Sequence, residues 1–354
     1  MSTGPFCAIP FVRAFVLPNG RYRNCCAVDP DIVSDSYNFV QWWTEDQRLE
    51  AFRKELSTQS FPAACHSCEM QELVGDSFRT NINRQHPTIN AVYPREWSIM
   101  FGNTCNLACW TCNEHWSSTV EAHKRVLNIL PVDYKNPNHE FDRNWPALRE
   151  NILKSYDYHD DVTISILGGE PTYNPTVIEF LNWLLANGYA SRTRLEITTN
   201  GTKNNRMMRR LDKKDWKYIY VAVSVDAIGE RAEWIRYGSC WEDVNASIDY
   251  YINNANYVEL HCIVSVLNIG DLPDLIDYAE SKNVKLVATP LQQPDYMSLM
   301  SWDGPAFDLD PVRYQNLQEY VALIGKTPVP GSAQRLTQYI AQFATIRKPQ
   351  PTHT

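Results

Sequence analysis

Three cysteines lie close together in the segment Cys105-Asn106-Leu107-Ala108-Cys109-Trp110-Thr111-Cys112. At this Cys-x3-Cys-x2-Cys spacing, three thiolates of one loop can bind three irons of a cubane [4Fe–4S] cluster and leave the fourth iron open. A zinc loop is the alternative, but zinc would need a fourth ligand, for which His115 is near. An apolar run at Trp97–Phe101 predicts a strand before the cysteines, and a helix is expected from about His115 to Leu130. The cysteines are therefore predicted on a loop that leaves a strand end.

The loop resembles the signature of the radical S-adenosylmethionine (SAM) superfamily. In that family the open iron chelates the amino and carboxylate groups of SAM, and an electron from the cluster cleaves a carbon–sulfur bond to give a 5′-deoxyadenosyl radical. The resemblance implies that Cys105, Cys109 and Cys112 are the cluster ligands. The family usually has an aromatic residue just before the last cysteine, whereas this chain has Thr111 there and Trp110 one position earlier.

Four further cysteines lie in the first 90 residues. Seventeen residues separate Cys7 from Cys25, and a Cys-x2-Cys pair follows at Cys65 and Cys68. The pattern resembles the twitch module, a short form of the SPASM module that carries an auxiliary iron–sulfur cluster in many radical SAM enzymes and normally follows their barrel. The resemblance implies that these four cysteines bind an auxiliary [4Fe–4S] or [2Fe–2S] cluster, with Cys26 as an alternative to Cys25. A structural zinc site on the same thiolates is not excluded by the spacing.

Glycine and polar residues follow the predicted strands, where the active groups of β/α barrels gather. Gly168-Gly169-Glu170-Pro171 matches the family's Gly-Gly-Glu-Pro motif, which implies a contact between Glu170 and the methionyl amine of SAM. The resemblance also places Asn200 and Ser224 near SAM and Arg236 near its carboxylate, and Asp226 shares a strand face with Ser224. The alternatives are an Asn-Gly turn for Asn200, a helix cap for Asp226 and a surface salt bridge for Arg236. No catalytic acid, base or hydrogen donor is identified.

Strands alternate with helices from about residue 95 onward, which predicts an α/β fold. Six β/α repeats are too few for a closed eight-stranded barrel and suit the open (β/α)6 partial barrel that the resemblance implies. The strands are predicted at Trp97–Phe101, Val162–Leu167, Arg194–Thr199, Tyr218–Val225, Val258–Val266 and Val284–Ala288. Helices are predicted at Asp142–Tyr156, Thr176–Asn187, Asn204–Leu211, Trp241–Asn254 and Leu272–Lys282.

Three domains are expected along the chain. Residues 1–90 would form the twitch-like module, with a hairpin of Phe11–Leu17 and Arg21–Cys26 and helices at Asp46–Ser57 and Glu69–Asn83. Residues 91–295 would form the partial barrel. Residues 296–354 would add two helices around the turn at 328–331, followed by a tail.

Composition and charge reduce the classes of function that the chain can have. The 354-residue chain has a net charge of −8 and no basic run, which disfavours a nucleic-acid substrate. No apolar run approaches the ~18 residues of a membrane span, and the first ten residues lack the pattern of a signal peptide. With ten cysteines and no such signal, metal ligation in a reducing cytoplasm is expected.

The resulting hypothesis is a radical SAM enzyme that abstracts hydrogen from a peptide or protein. It would receive electrons from a one-electron donor of the flavodoxin or ferredoxin type. Oxidation of a small molecule such as an amino sugar is the second hypothesis. A zinc-stabilised α/β binding protein is the non-enzymatic alternative.

Overall fold

The computed structural model describes residues 6–26, 32–56, 61–72, 77–87, 89, 92–136, 138–202 and 210–347. These residues form a sheet of eight strands in the order β2-β1-β3-β4-β5-β6-β7-β8. Strands β1 and β3 to β8 run parallel, and β2 pairs antiparallel with β1. The strands are β1 (Arg13–Val16), β2 (Tyr22–Arg23), β3 (Glu96–Met100), β4 (Val162–Leu167), β5 (Thr193–Thr199), β6 (Tyr218–Ser224), β7 (Tyr257–Val264) and β8 (Lys285–Pro290).

Helices connect most of the parallel strands, as crossover connections require. The helices of the described residues are α1 (Ile9–Val12), α2 (Phe39–Glu45), α3 (Gln47–Glu55), α4 (His66–Glu72), α5 (Phe78–Gln85), α6 (Ser118–Val126), α7 (Asn138–Tyr158), α8 (Pro175–Ala186), α9 (Gly229–Ile235), α10 (Trp241–Asn254), α11 (Leu272–Ser281), α12 (Gln318–Val321) and α13 (Ser332–Phe343). None of these helices is long and apolar enough to cross a membrane.

The two faces of the sheet differ in polarity. Register aligns Ser98 with Ser165, Ser165 with Glu196, and Glu196 with Tyr220, so these side chains share one face, together with Glu259 on β7. We call this the polar face. The opposite face carries Val, Ile and Leu side chains that pack under α7, α8, α10 and α11 in the main core. Burial of that apolar face is the principal force that fixes the register.

The predicted α/β fold with its six β/α strands is confirmed, and each strand begins and ends within two residues of its predicted bounds. The predicted helix Asn204–Leu211 falls largely outside the described residues. The single helix predicted at Glu69–Asn83 is wrong, because α4 and α5 are separate helices. Ser77 caps the second of them by accepting a hydrogen bond of 3.1 Å from the backbone N–H of Thr80.

The N-terminal hairpin is present as β1 and β2, but it extends the main sheet. Strand β1 lies parallel to β3, with Arg13 opposite Glu96. The Arg13 guanidinium contacts one oxygen of Glu96 at 2.5 Å, and the ring Nε2 of His86 contacts the other at 2.7 Å. The N-terminal cysteine-rich segment and the β/α strands therefore share one continuous sheet.

Candidate functional site

The loop that carries the three clustered cysteines is anchored to α6 at its beginning. Thr119 Oγ1 donates to the Cys105 carbonyl at 2.6 Å, and the Cys105 N–H donates to Ser118 Oγ at 3.1 Å. Upstream, the Asn103 N–H donates to Asn138 Oδ1 at 2.7 Å. These short polar side chains give the buried loop backbone the hydrogen-bond partners that a strand would otherwise supply.

The second half of the loop is fixed by the end of α9. The backbone N–H of Ala108 donates to the Tyr237 carbonyl, and that of Trp110 donates to the Ile235 carbonyl, each at 2.9 Å. The Trp110 side chain is buried and packs against Trp234 and, edge-on, against Phe343 of α13. Both the backbone and the indole therefore anchor the second half of the loop.

The three cysteines line one cavity of about 310 Å³ at the carboxyl ends of β4, β5 and β6. Five other predicted site residues line the same cavity, namely Gly168, Gly169, Asn200, Ser224 and Arg236. The structure thus brings together the cysteine loop, three strand ends and Arg236 at the end of α9, which are far apart in the sequence. Parallel strands place their carboxyl ends at one edge of a sheet, which is why these groups meet there.

The thiols of this cavity lie in a mostly apolar environment. Burial raises the pKa of Cys105 to about 12. Burial also raises the pKa of the Cys109 thiol, and the positive charges of Arg236 and Arg347 oppose that rise. Metal ligation requires thiolates, so binding of a metal or cluster here releases protons.

The two glycines after β4 lie against the cysteine loop. Both have positive φ, +78° for Gly168 and +55° for Gly169. A Cβ at Gly169 would lie 2.3 Å from the Thr104 carbonyl oxygen, and this same oxygen accepts a hydrogen bond of 2.7 Å from the Glu170 N–H. The motif therefore needs glycine both for its backbone conformation and for the close approach of the loop.

Glu170 lies behind the cavity wall. Its carboxylate is fully buried and does not line the cavity. It accepts hydrogen bonds from the N–H and hydroxyl of Thr172 at 2.9 and 2.7 Å, from Thr199 Oγ1 at 2.8 Å and from the Asn200 N–H at 2.6 Å. Burial raises the pKa of Glu170, and these four donors oppose the rise. The carboxylate ties the end of β4 to the end of β5, so the contact with an amine of SAM stays a prediction that this geometry does not favour.

Asn200 occupies the cavity wall beside Cys105. Its Nδ2 donates to Asn106 Oδ1 at 3.0 Å and lies 4.0 Å from the Cys105 sulfur. The Asn200 Oδ1 accepts a hydrogen bond of 3.0 Å from the Thr202 N–H. Gly201, which lies between them, has φ of +73°, and a Cβ there would lie 2.8 Å from a methyl group of Val223.

Asp226, which follows β6, is buried and pairs with Arg236 at the end of α9, whose side chain is 14% exposed. Arg236 Nε and Asp226 Oδ2 lie 2.9 Å apart as an ion pair, although they are not aligned as a hydrogen bond. Asp226 Oδ1 accepts from the Ile263 N–H at 2.9 Å. Burial alone would lower the pKa of Arg236, but the charges of Asp226 and Cys109 outweigh it and raise the pKa. Asp226 is therefore a partner for Arg236 rather than a helix cap, and Arg236 is not a surface residue.

Several lining residues have no counterpart among the predictions. Trp116 and Thr111 lie beside the cysteines, and Thr199 lies next to Asn200. The family's usual aromatic position is occupied by Thr111, which faces the cavity, whereas the neighbouring Trp110 is buried in the core. Trp116 is 37% exposed, and it has no spacing signal beyond its place four residues after Cys112.

A second, smaller cavity is lined by Cys7, Cys25, Cys65 and Cys68. All four are buried, whereas Cys26 is exposed and lies outside this cavity. Burial and the neighbouring cysteines raise the pKa of Cys65 to about 12. The structure thus brings together the four cysteines of the N-terminal pattern and leaves Cys26 outside the cavity that they line.

Neither cysteine group has the arrangement of a single-ion site. Within the described ranges, no three His, Cys, Asp or Glu side chains are grouped so that they could hold one metal ion. His115, the predicted fourth zinc ligand, packs on Tyr134 with ring centroids 5.4 Å apart and lines a neighbouring cavity rather than the one that all three cysteines share. Cubane ligands are spaced more widely than zinc ligands, because each thiolate binds a different iron.

Solved structures similar to the chain include two of SuiB and one of anSMEcpe. Streptococcus suis SuiB bound to S-adenosylmethionine is 14% identical with a TM-score of 0.39, over 78% of this chain and 56% of that one. SuiB bound to the precursor peptide SuiA is 13% identical with a TM-score of 0.41, over 89% and 66%. Native anSMEcpe with bound AdoMet is 17% identical with a TM-score of 0.37, over 64% and 61%. The chain thus spans less than two thirds of the length of each.

One family model also matches the chain. No protein of curated function matches the sequence. The model of the radical SAM superfamily matches residues 99–279, just over half of the chain, which include the cysteine loop and strands β4 to β7. The protein therefore belongs to the radical SAM superfamily.

Proposed function

We propose that Cys105, Cys109 and Cys112 hold a [4Fe–4S] cluster and that SAM binds in the same cavity. The observation that carries this is the shared cavity, in which three thiols of one loop face the carboxyl ends of three parallel strands. The donor set fits a cubane with one open iron, since three cysteines line the cavity and His115 does not. When bound, such a cluster supplies the electron that converts SAM into methionine and a 5′-deoxyadenosyl radical.

The cavity wall offers groups that match the parts of SAM. Arg236 supplies guanidinium N–H donors for the carboxylate, and Ser224 and Asn200 supply polar groups for the ribose and the methionyl part. The glycine pair before Glu170 allows the backbone to approach the ligand closely. We assign the aromatic contact with adenine to Trp116, because it lines the cavity and Trp110 does not.

Two buried carboxylates position this wall without touching the ligand. Asp226 holds Arg236 from behind at 2.9 Å. Glu170 holds the backbone of Asn200 at 2.6 Å. Both therefore act through the residue that they orient, which is a different role from the direct contact that the sequence motif implies for Glu170.

We also propose that Cys7, Cys25, Cys65 and Cys68 hold an auxiliary iron–sulfur cluster in a twitch-like module of residues 1–90. The support is that four buried cysteines from three separate segments line one cavity. Residues 91–295 would then form the partial barrel and residues 296–354 a C-terminal extension. In this arrangement the module contributes β1 and β2 to the main sheet, so the auxiliary site is rigidly connected to the barrel.

We propose a peptide or protein as substrate, and a flavodoxin- or ferredoxin-type protein as electron donor. The support for a peptide comes from the polar face. Thr198 on β5 lines the cysteine cavity, and Arg194 on the same face of the same strand lines another cavity of about 350 Å³. Four residues of strand separate them, which is about 13 Å. A polar surface of this length suits an extended peptide better than a single sugar ring.

Iron and acid-labile sulfide analysis tests the cluster assignment. Protein reconstituted without oxygen is compared with Cys105→Ala and with the matched control Cys240→Ala, whose cysteine is exposed and lies in neither cavity. We expect Cys105→Ala to lose about four irons per chain and Cys240→Ala to lose none. An unchanged iron content in Cys105→Ala would refute the assignment.

A further inference from the structure

We propose that Arg347 places a fixed positive charge behind the cysteine loop and thereby raises the reduction potential of the cluster. The inference rests on the proposed function, because it assumes a cluster on the Cys105 loop. Arg347 is only 5% exposed. None of its three guanidinium nitrogens has a hydrogen-bond partner among the described residues. A buried charge without a partner is strongly unfavourable, so its presence points to a negative group that binds beside it.

The position of Arg347 shows which group that is. Its guanidinium carbon lies 4.2 Å from the ring centroid of Trp110, one of the two loop residues between Cys109 and Cys112. It also lies 4.3 Å from the ring of Phe343 and 5.5 Å from that of Tyr237. The guanidinium is therefore enclosed by aromatic rings directly behind the cysteine loop.

The backbone around Arg347 holds the guanidinium in this place. The Arg347 N–H donates to the Phe343 carbonyl at 2.9 Å, which continues the last turn of α13. Tyr237 Oη donates to the Ile346 carbonyl at 3.1 Å. Tyr237 also accepts the hydrogen bond of Ala108 in the cysteine loop, so one residue fixes both the loop and the arginine.

The groups that can carry negative charge near Arg347 belong to the loop. Burial lowers the pKa of Arg347, and Tyr339, Cys109, Tyr237 and Cys112 oppose that effect. Burial raises the pKa of Tyr339, so its phenol is neutral at pH 7, and the Tyr237 hydroxyl keeps its hydrogen in the bond that it donates to the Ile346 carbonyl. Cys109 and Cys112 become thiolates when they bind iron. We therefore infer that the negative charge that balances Arg347 is that of the cysteine loop with its cluster bound.

This arrangement predicts a specific effect on electron transfer. One-electron reduction by the external donor adds one negative charge to the cluster and breaks no bond. A fixed, poorly solvated positive charge nearby stabilises the reduced form more than the oxidised form, so it raises the potential. Arg236 also faces this loop, but Asp226 neutralises it. Arg347 does not line the SAM cavity and is not proposed to bind SAM.

The first arm of the test measures the potential of full-length, reconstituted protein by redox titration followed by electron paramagnetic resonance. The signal of this cluster is the one that changes when SAM is added. We expect Arg347→Met to keep its iron and to shift the reduction equilibrium at least tenfold toward the oxidised form, which is about 59 mV for one electron. Arg347→Lys keeps the positive charge, so its potential should lie close to that of wild type. An unchanged potential in iron-loaded Arg347→Met overturns the proposal.

The second arm uses iron-free protein and stays informative if a variant loads iron poorly. Arg231 is the matched control, since its side chain is only 14% exposed, stacks 4.8 Å from the Trp234 ring and is paired with Asp271 at 3.1 Å. Arg231→Met should lower the unfolding midpoint, because it breaks this largely buried ion pair. Arg347→Met should not, because it removes an unpaired buried charge. Equal destabilisation of both variants would show that Arg347 has a structural role and would overturn the proposal. A wild-type protein that binds no iron would instead refute the proposed function.

Discussion

The substitution Gly169→Ala tests how closely the glycine motif and the cysteine loop approach each other. The alanine would have to keep φ near +55°, and its Cβ would lie 2.3 Å from the Thr104 carbonyl oxygen. The left-handed conformation costs about 1–2 kcal/mol for a residue with a side chain, and relief of a clash in a packed interior costs about 1–3 kcal/mol more. We therefore expect the free energy of unfolding to fall by about 2–5 kcal/mol.

The same substitution should also reduce cluster loading. The Thr104 carbonyl accepts the hydrogen bond of Glu170, and Cys105 follows immediately. A shift of this carbonyl therefore moves the first cysteine relative to Cys109 and Cys112. We expect iron-reconstituted Gly169→Ala to bind fewer irons than wild type even at temperatures where the protein stays folded.

Gly229→Ala is the matched control. Gly229 has φ of +57°, nearly the same as Gly169, but a Cβ there would meet no atom within 4 Å. The control should lose only the conformational part, about 1–2 kcal/mol, and should load iron normally. Denaturant unfolding of the two iron-free variants measures the difference. Equal losses in stability would refute the reasoning, because the Thr104 carbonyl would then not be the obstacle.

Three further predictions concern the two cofactor sites. Cys68→Ala should lose the iron of the auxiliary site, as measured by iron analysis, but should keep the change in the electron paramagnetic resonance signal when SAM is added. Loss of that change would contradict the presence of two independent clusters. Trp116→Ala should weaken SAM binding about 5- to 150-fold, since stacking of a base on an aromatic ring contributes about 1–3 kcal/mol. Equilibrium dialysis measures this affinity, and an unchanged value would show that Trp116 does not contact the adenine. Asp226→Asn should weaken SAM binding in the same assay, because Arg236 loses the charge that holds it, and unaltered binding would show that Arg236 needs no such partner.

The strands of the α/β part could be predicted from the sequence because their signal is local. Each consists of a short run of Val, Ile and other apolar residues between loops, so Val162–Leu167 could be located without any partner strand. The pairing of β1 with β3 could not be predicted in this way. Arg13 and Glu96 are 83 residues apart, and nothing in either short segment specifies which strand it will join. The sequence therefore predicts the hairpin in a separate module, although it extends the main sheet.

The site was predictable where spacing within one loop determined the arrangement. The three cysteines of the loop and the glycines after β4 meet as the motifs imply. The position of Glu170 depends on Thr199 and Asn200, which belong to another strand, so the motif alone could not show that its carboxylate is already satisfied. Whether Cys25 or Cys26 faces inward depends on the direction of one side chain, because neighbouring residues of an extended chain point to opposite sides.

Arg347 illustrates a further limit of sequence reasoning. It lies near the end of the chain and belongs to no motif. Its place beside Trp110 follows from the packing of α13 against the cysteine loop, which only the folded structure shows. The property that singles it out, a buried guanidinium without hydrogen-bond partners among the described residues, is likewise a property of the fold.

The formation of 5′-deoxyadenosine tests the central claim most directly. Iron-loaded protein is incubated without oxygen with SAM and a strong one-electron reductant, and the nucleoside product is measured by chromatography. We predict that wild type and Cys240→Ala form 5′-deoxyadenosine and that Cys105→Ala forms none. A wild type that carries its full iron, becomes reduced and yet leaves SAM intact would contradict the claim that the three cysteines present a cluster to SAM.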